Sequence, residues 1–115
     1  MSNITTHVLD TSRGRPAAGV TVTLEMFDVN DADWRKLGRG ATDADGRLRD
    51  LLPADSTPGG GVYRLTFDTL GYFFAQGAET FYPFVHIVFV VRDPSEHHHV
   101  PLLLSPYGYS TYRGS

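Results

Sequence analysis

The sequence contains no cysteine, a single lysine and no long apolar run. Without cysteine the chain has neither a disulfide framework nor a thiolate metal site. No window approaches the roughly 18 apolar residues that a membrane-spanning helix needs. The formal net charge is −3 and the basic residues are scattered, so no basic stripe suggests nucleic acid as a partner. These absences argue against disulfide-stapled, membrane-spanning and nucleic-acid-binding proteins.

The segment MSNITTHVLD at the start lacks the basic and apolar regions of a secretory signal, so we expect a cytoplasmic protein. The chain has 115 residues, of which 41% are hydrophobic and 20% charged. This length and composition fit one globular domain over residues 1–115, with a core that needs no staples.

Two segments alternate apolar and polar residues, which is typical of half-buried strands. In VTVTLEMFDV the apolar face carries Val22 and Leu24. In GVYRLTFDT it carries Tyr63, Leu65 and Phe67. ITTHVLD and WRKLGRGAT are also predicted to be strands because they hold β-branched or alternating residues between turn signals.

The second half of the chain is also rich in strand formers. YPFVHIVFVVRD is apolar on both faces, which predicts a strand covered on both sides. HHHVPLLLSPYGYSTY predicts a hairpin that turns at Ser105 and Pro106, with Pro101 at an edge or irregular position. TLGYFFAQGAE favours a short helix, although its aromatic residues also suit a strand. About seven or eight strands and one short helix predict an all-β sandwich.

Three consecutive histidines, His97, His98 and His99, carry most of the chemistry visible in the sequence. Alternate residues of a strand share a face, so His97 and His99 point one way and His98 the other. The cluster allows three interpretations, namely a polar edge strand, a metal site that needs a further ligand, and acid–base catalysis. Composition does not choose among them.

The segment TDADGR predicts a turn at Asp43 to Gly46 that places Arg47 on a strand. Arg47 is either a solvated arginine or a planar fork for recognising a ligand. No G-x-S-x-G, P-loop or H-E-x-x-H motif is present. An enzymatic site would therefore be assembled from separate strands.

The segments THVLDTSRGRPAAGVTVTLE and HHHVPLLLSPYGYSTYRGS resemble the transthyretin-related family and, within it, the 5-hydroxyisourate hydrolases. The similarity runs the length of the chain, and the YRGS end separates these hydrolases from the hormone-carrying transthyretins. The resemblance implies a transthyretin-like β-sandwich with one short helix. It also implies a homotetramer, a dimer of dimers around a central channel, with active sites at the dimer–dimer interface.

The reaction implied by the resemblance belongs to urate degradation. Water opens the six-membered ring of 5-hydroxyisourate and gives 2-oxo-4-hydroxy-4-carboxy-5-ureidoimidazoline, without a metal or an organic cofactor. The positions that match the family's catalytic residues are His7, Arg47, His99 and Ser115. We expect one of the two histidines, which the sequence does not single out, to take a proton from water. Arg47 would orient the ring and offset oxyanion charge, and Ser115 would bind substrate through its hydroxyl or a carboxylate.

Tyr112 is a further substrate-binding candidate. Alternation places Ser110, Tyr112 and Gly114 on one face of the last strand. If that face lines the channel, as the family implies, Tyr112 partly closes it; the alternative is an ordinary edge aromatic. A second functional hypothesis is a non-catalytic carrier that binds an aromatic small molecule in the channel.

Four positions depart from the pattern usual in these hydrolases. Phe84 stands where an acidic residue is usual, His98 replaces a tyrosine, Val90 stands where the strand is often polar, and His86 is also unusual. None of them is a matched catalytic position. We therefore expect the activity to be kept. The changes make the strand at 84–91 more apolar, which reflects either a different subunit contact or simple drift, and the packing around the catalytic positions is less certain to follow the family's pattern.

Overall fold

The computed structural model describes residues 3–53, 56 and 58–115. In these residues the chain forms nine strands, two of them only two residues long, and one short helix. The elements are β1 (Ile4–Asp10), β2 (Arg15–Pro16), β3 (Thr21–Asp28), β4 (Asp33–Ala41), β5 (Arg47–Leu48), β6 (Gly61–Phe67), α1 (Thr69–Phe74), β7 (Val85–Val91), β8 (His98–Ser105) and β9 (Gly108–Thr111). The predicted helix is thus confirmed.

The strands form two sheets that enclose one core. The first sheet has the order β2-β1-β8-β9, with β5 also paired to β1, and the second has the order β4-β3-β6-β7. β1 and β8 run parallel, whereas β8 and β9 form the antiparallel hairpin that the sequence predicts. The predicted all-β sandwich with one short helix is confirmed.

Alternation along the strands decides which side chains fill the core. The side chains of Val22, Leu24, Leu65 and Phe67 are fully buried, and those of β8 that face them include Leu102. Burying side chains of this size stabilises the folded state by about 1.5–3 kcal/mol each. The apolar faces predicted for β3 and β6 are therefore confirmed.

The prediction that the strand after FYP is covered on both sides is wrong for the described chain. β7 is an edge strand of its sheet, and only one of its faces meets the core. Val85, Ile87 and Val91 are buried, while Val88 and Val90 remain 56% and 49% exposed. The sequence misleads here because an apolar outer face resembles a second buried face.

Pro101 does not mark an edge strand, since β8 lies between β1 and β9. It does mark an irregular position, as the alternative prediction stated. Regular pairing with β9 ends at Leu102 and Thr111, and the Thr111 hydroxyl then donates to the Pro101 carbonyl oxygen over 2.7 Å. Proline is tolerated there because the ladder needs no N–H from that residue.

Candidate functional site

The parallel pairing of β1 with β8 and the short β5 bring the candidate residues together. Thr5 lies beside His99 in the register of β1 and β8. On the other side of β1, His7 lies opposite Arg47. A pocket of about 120 Å³ opens at this point. It is called the histidine pocket below, and it is lined by Thr5, Thr6, Arg47, Arg49, His97, His99 and Ser115.

A tight turn before β5 presents Arg47 to the histidine pocket. Gly46 has φ of 76°, and its carbonyl oxygen accepts a hydrogen bond from the Val8 N–H over 2.7 Å. A Cβ at Gly46 would lie 2.3 Å from the Val8 carbonyl oxygen, so only glycine fits. The Asp43 carboxylate accepts a hydrogen bond from the Arg47 backbone N–H, which lowers the pKa of Asp43. The predicted turn is confirmed.

The hydroxyl of Thr5 lies between two histidine rings. Its Oγ1 is 2.8 Å from Nδ1 of His99 and 2.9 Å from Nε2 of His97. The two rings are close to parallel, with centroids 6.1 Å apart. The prediction that His97 and His99 share a face is thus confirmed, and His98 faces the opposite way, 95% buried, with Nδ1 3.0 Å from the Glu96 carbonyl oxygen.

The last residues of the chain are attached to β8 through Gly114. Its N–H donates to the His99 carbonyl oxygen over 2.7 Å, an isolated bridge beyond the end of β9. A Cβ at Gly114 would lie 2.7 Å from Cδ2 of His99, so the glycine backbone packs against the imidazole edge. This contact brings Ser115 into the lining of the histidine pocket.

The electrostatic environment keeps His99 neutral at lower pH than a free histidine. Burial lowers the pKa of His99, and the positive charges of His97, Arg47 and His7 lower it further. Thr5 engages its Nδ1, and no hydrogen bond to its Nε2 is seen among the residues described. His99 therefore combines a neutral ring with an unengaged nitrogen, which is what a general base requires.

His7 and Tyr112 occupy different places from His99. The Nε2–H of His7 donates to the Asp45 carbonyl oxygen over 2.8 Å, so this ring lies at the border of the histidine pocket and not in its lining. Tyr112 is 59% exposed and borders a second pocket of about 230 Å³, which includes Ile87, Val88 and Val100. Of the five candidates, the structure brings Arg47, His99 and Ser115 into one pocket.

Sequence reasoning missed Thr5, Thr6 and Arg49 as pocket residues. Thr5 was recognisable in part, because strand alternation puts it on the same face as His7. Its position beside His99 depends on the register of two strands more than ninety residues apart, which no local pattern encodes.

In the described part of the chain no group of three or more His, Cys, Asp or Glu side chains is arranged to hold a metal ion. No helix among the described residues is long and apolar enough to span a membrane.

Comparison with known proteins relates this fold and pocket to one family. The HIUase/Transthyretin family matches residues 4–114. The 5-hydroxyisourate hydrolase of Mus musculus is 45% identical over 115 residues, which cover 99% of this chain and 96% of the mouse protein.

Two solved structures share the fold. The 5-hydroxyisourate hydrolase of Klebsiella pneumoniae superposes with a TM-score of 0.84 at 39% identity, covering 100% of this chain and 94% of that one. A sea bream transthyretin in complex with thyroxine superposes with a TM-score of 0.89 at 32% identity, covering 97% and 94% of the two chains. The expectation of a transthyretin-like sandwich is confirmed.

Proposed function

Since the chain belongs to the HIUase/Transthyretin family, we propose that it hydrolyses 5-hydroxyisourate to 2-oxo-4-hydroxy-4-carboxy-5-ureidoimidazoline in urate degradation. The observation that carries the proposal is the histidine pocket, where a half-buried histidine with a lowered pKa faces the same space as an arginine. Proteins that are similar to this chain over nearly its whole length are named 5-hydroxyisourate hydrolases. This similarity supports the proposal that the chain is a hydrolase.

His99 is the better candidate for the general base. Its neutral ring accepts a proton at Nε2 from a water molecule as the water oxygen bonds to a ring carbonyl carbon of the substrate. The electron pair of the C=O bond moves onto oxygen, and the resulting negative charge needs an electropositive neighbour. His7 is less suited to the first step, since its Nε2–H is already committed to the Asp45 carbonyl oxygen.

Arg47 supplies the electropositive group. Its planar guanidinium matches a flat substrate with adjacent carbonyl and N–H groups, and its charge offsets the oxyanion. Ser115 lines the same pocket and offers a hydroxyl for a substrate hydrogen bond. His7, whose charge acts on His99, helps to set the protonation state of the base.

Oligomeric assembly remains part of the proposal. We infer a homotetramer, a dimer of dimers, in which active sites lie at the dimer–dimer interface and Tyr112 narrows the channel and contacts substrate. The exposed position of Tyr112 leaves it available for that role. The single domain over residues 1–115, the lack of any cofactor requirement and the cytoplasmic location stay predictions.

The carrier hypothesis is less well supported. The structural similarity to a transthyretin is high, but the fold is shared by both functional classes. A site for a bulky aromatic ligand is usually lined mainly by apolar side chains, whereas the histidine pocket is lined by two arginines, two histidines and three hydroxyl residues. That lining suits a polar, carbonyl-rich substrate.

Turnover separates the two functions. Freshly prepared 5-hydroxyisourate decays spontaneously, and its absorbance is followed with and without the protein at a large substrate excess. A hydrolase accelerates the decay of many substrate equivalents per protein chain. A carrier removes at most about one equivalent per site and leaves the later decay rate unchanged, which would refute the proposal.

A further inference from the structure

Two side chains of the histidine pocket, Thr5 and His97, have no part in the mechanism above. Both lie on the Nδ1 side of the His99 ring, away from Nε2. The Thr5 hydroxyl contacts both rings and so connects His97 to His99. Thr5 is 97% buried and forms, with His99, the second residue pair of the parallel pairing of β1 with β8. His97 lies at the exposed end of the same array, just before β8 begins.

The hydroxyl of Thr5 couples the protonation states of the two rings. A hydroxyl has one proton to donate and two lone pairs to accept with. With a ring nitrogen on each side at hydrogen-bond distance, the single O–H can donate to only one of them, so at least one ring must present an N–H to the oxygen. When the O–H donates to the other ring, that ring's nitrogen is the acceptor. If His99 donates from Nδ1, the Thr5 O–H points to Nε2 of His97, and Nε2 of His99 carries the lone pair that a base needs.

We propose that Thr5 and His97 form a proton relay with His99, in which the Thr5 hydroxyl holds His99 in the Nδ1–H tautomer and passes a proton on to His97. The proposal rests on the proposed hydrolysis. It makes Thr5 and His97 positioning residues, because they act through His99.

The proton movements balance in both directions. When Nε2 of His99 takes a proton from water, the Nδ1 proton moves to Oγ1 of Thr5 while the hydroxyl proton moves to Nε2 of His97. The positive charge then sits on His97, and His99 is neutral with its N–H at Nε2. When the ring C–N bond breaks, Nε2 returns its proton to the leaving nitrogen and the two relay protons move back. No oxidant or co-reactant is needed.

The surroundings explain why the charge would move outward. Arg47 and Arg49 line the same pocket, and His7 lies at its border. His99 is half-buried among these cations, whereas His97 is exposed. Arg113 also approaches His97, with Nη2 3.5 Å from its carbonyl oxygen, but water stabilises an exposed imidazolium better than a half-buried one. The relay therefore places the charge where it is solvated.

Isosteric variants isolate the hydroxyl. Thr5→Val keeps the branched shape and the burial but removes the hydroxyl, while Thr5→Ser keeps it. We expect Thr5→Val and His97→Asn each to lower kcat about tenfold with KM changed less than about twofold. Thr5→Ser should stay within about threefold of the wild type, and Thr5→Val/His97→Asn should lose no more than either single variant, because the residues act as a unit.

The second sheet supplies a matched control. Thr66 Oγ1 lies 2.9 Å from Nδ1 of His86, a threonine–histidine contact of the same kind without a second histidine. Thr66→Val should leave kcat unchanged. An unchanged kcat in Thr5→Val, or losses that multiply in the double variant, would overturn the relay.

Nitrogen NMR of the histidine rings tests the relay independently of turnover. In the wild-type protein near neutral pH, His99 should be protonated at Nδ1, and in Thr5→Val it should shift toward the Nε2–H tautomer. A His99 that carries its proton at Nε2 in the wild type, or the same tautomer in both proteins, would contradict the relay. If the protein failed to accelerate 5-hydroxyisourate decay yet showed the expected tautomers, the proposed function and the proton transfer would fall, while the control of the His99 tautomer by Thr5 would stand.

Discussion

Arg47 acts on His99 through its charge as well as through its shape. Because protonated His99 cannot accept a proton from water, kcat/KM should fall as the pH drops through a pKa below the usual 6.5. Arg47→Gln removes one of the positive charges that lower this pKa, so the acidic limb of the pH profile should move to higher pH. Arg47→Lys keeps the charge, so the limb should stay in place.

The same pair of variants separates charge from geometry. Both should lower kcat, since a lysine ammonium lacks the planar fork. The measurement is kcat/KM against pH for the three proteins. An acidic limb at the same pH in wild type and Arg47→Gln would show that Arg47 does not act electrostatically on the base.

A substitution at Gly114 tests whether the close packing of the chain end against the His99 ring is needed for activity. A Cβ added there would lie 2.7 Å from Cδ2 of His99 and 3.3 Å from Cγ of Pro101. Gly114→Ala should displace the ring and lower kcat by about tenfold or more, since small misplacements of a catalytic group cost activity steeply. Gly108→Ala is the control, because its Cβ would meet only Ser105 Oγ at 3.7 Å. Equal kcat in both variants would contradict the packing role of Gly114.

At the scale of elements, the carboxylate of Asp10 joins β1 to α1. Its Oδ2 accepts from the Tyr72 hydroxyl over 2.7 Å, and its Oδ1 accepts from the Ser12 hydroxyl over 2.6 Å. Burial acts to raise the pKa of Asp10, but these bonds and the N–H groups of Ser12 and Arg13 outweigh it and lower the pKa. The ionised form is thus favoured by folding.

We expect Asp10→Asn to reduce the free energy of unfolding by about 1–3 kcal/mol near neutral pH. The folded-state pKa lies below 3.8, so the stabilisation is present above that value and is lost as the pH falls through the lower folded-state pKa. Denaturant unfolding at several pH values measures it. Asp93, which accepts the same two bonds from Ser95 but is exposed, is the control. An Asp93→Asn cost as large as that of Asp10→Asn would contradict the role of burial and Tyr72.

Local sequence patterns predict individual strands, helices and turns better than they predict which of these elements lie side by side. The faces of β3 and β6 and the turn before Arg47 follow from alternation and turn chemistry, which act over a few residues. The coverage of β7 and the central place of β8 depend on neighbours distant in sequence. The same distinction holds in the pocket: resemblance identified Arg47, His99 and Ser115, but Thr5 appears only when the parallel register of β1 and β8 is known.

At the scale of the whole molecule, the proposed homotetramer predicts a mass. Light scattering coupled to size exclusion should give four times the mass of one chain. The outer face of β7, with Val88 and Val90 exposed, is the kind of apolar surface that subunit contacts bury. If the sites lie at the dimer–dimer interface, specific activity should fall on dilution as tetramers dissociate. A monomer with full, concentration-independent activity would contradict this assembly.

We have proposed that the histidine pocket hydrolyses 5-hydroxyisourate with His99 as the base. The most direct measurement is kcat for His99→Asn beside the wild type, with unfolding curves showing that both proteins are folded. We predict that the wild type accelerates the decay of 5-hydroxyisourate and that the variant loses about 100-fold or more of kcat. A folded His99→Asn protein with nearly wild-type kcat would rule out His99 as the base.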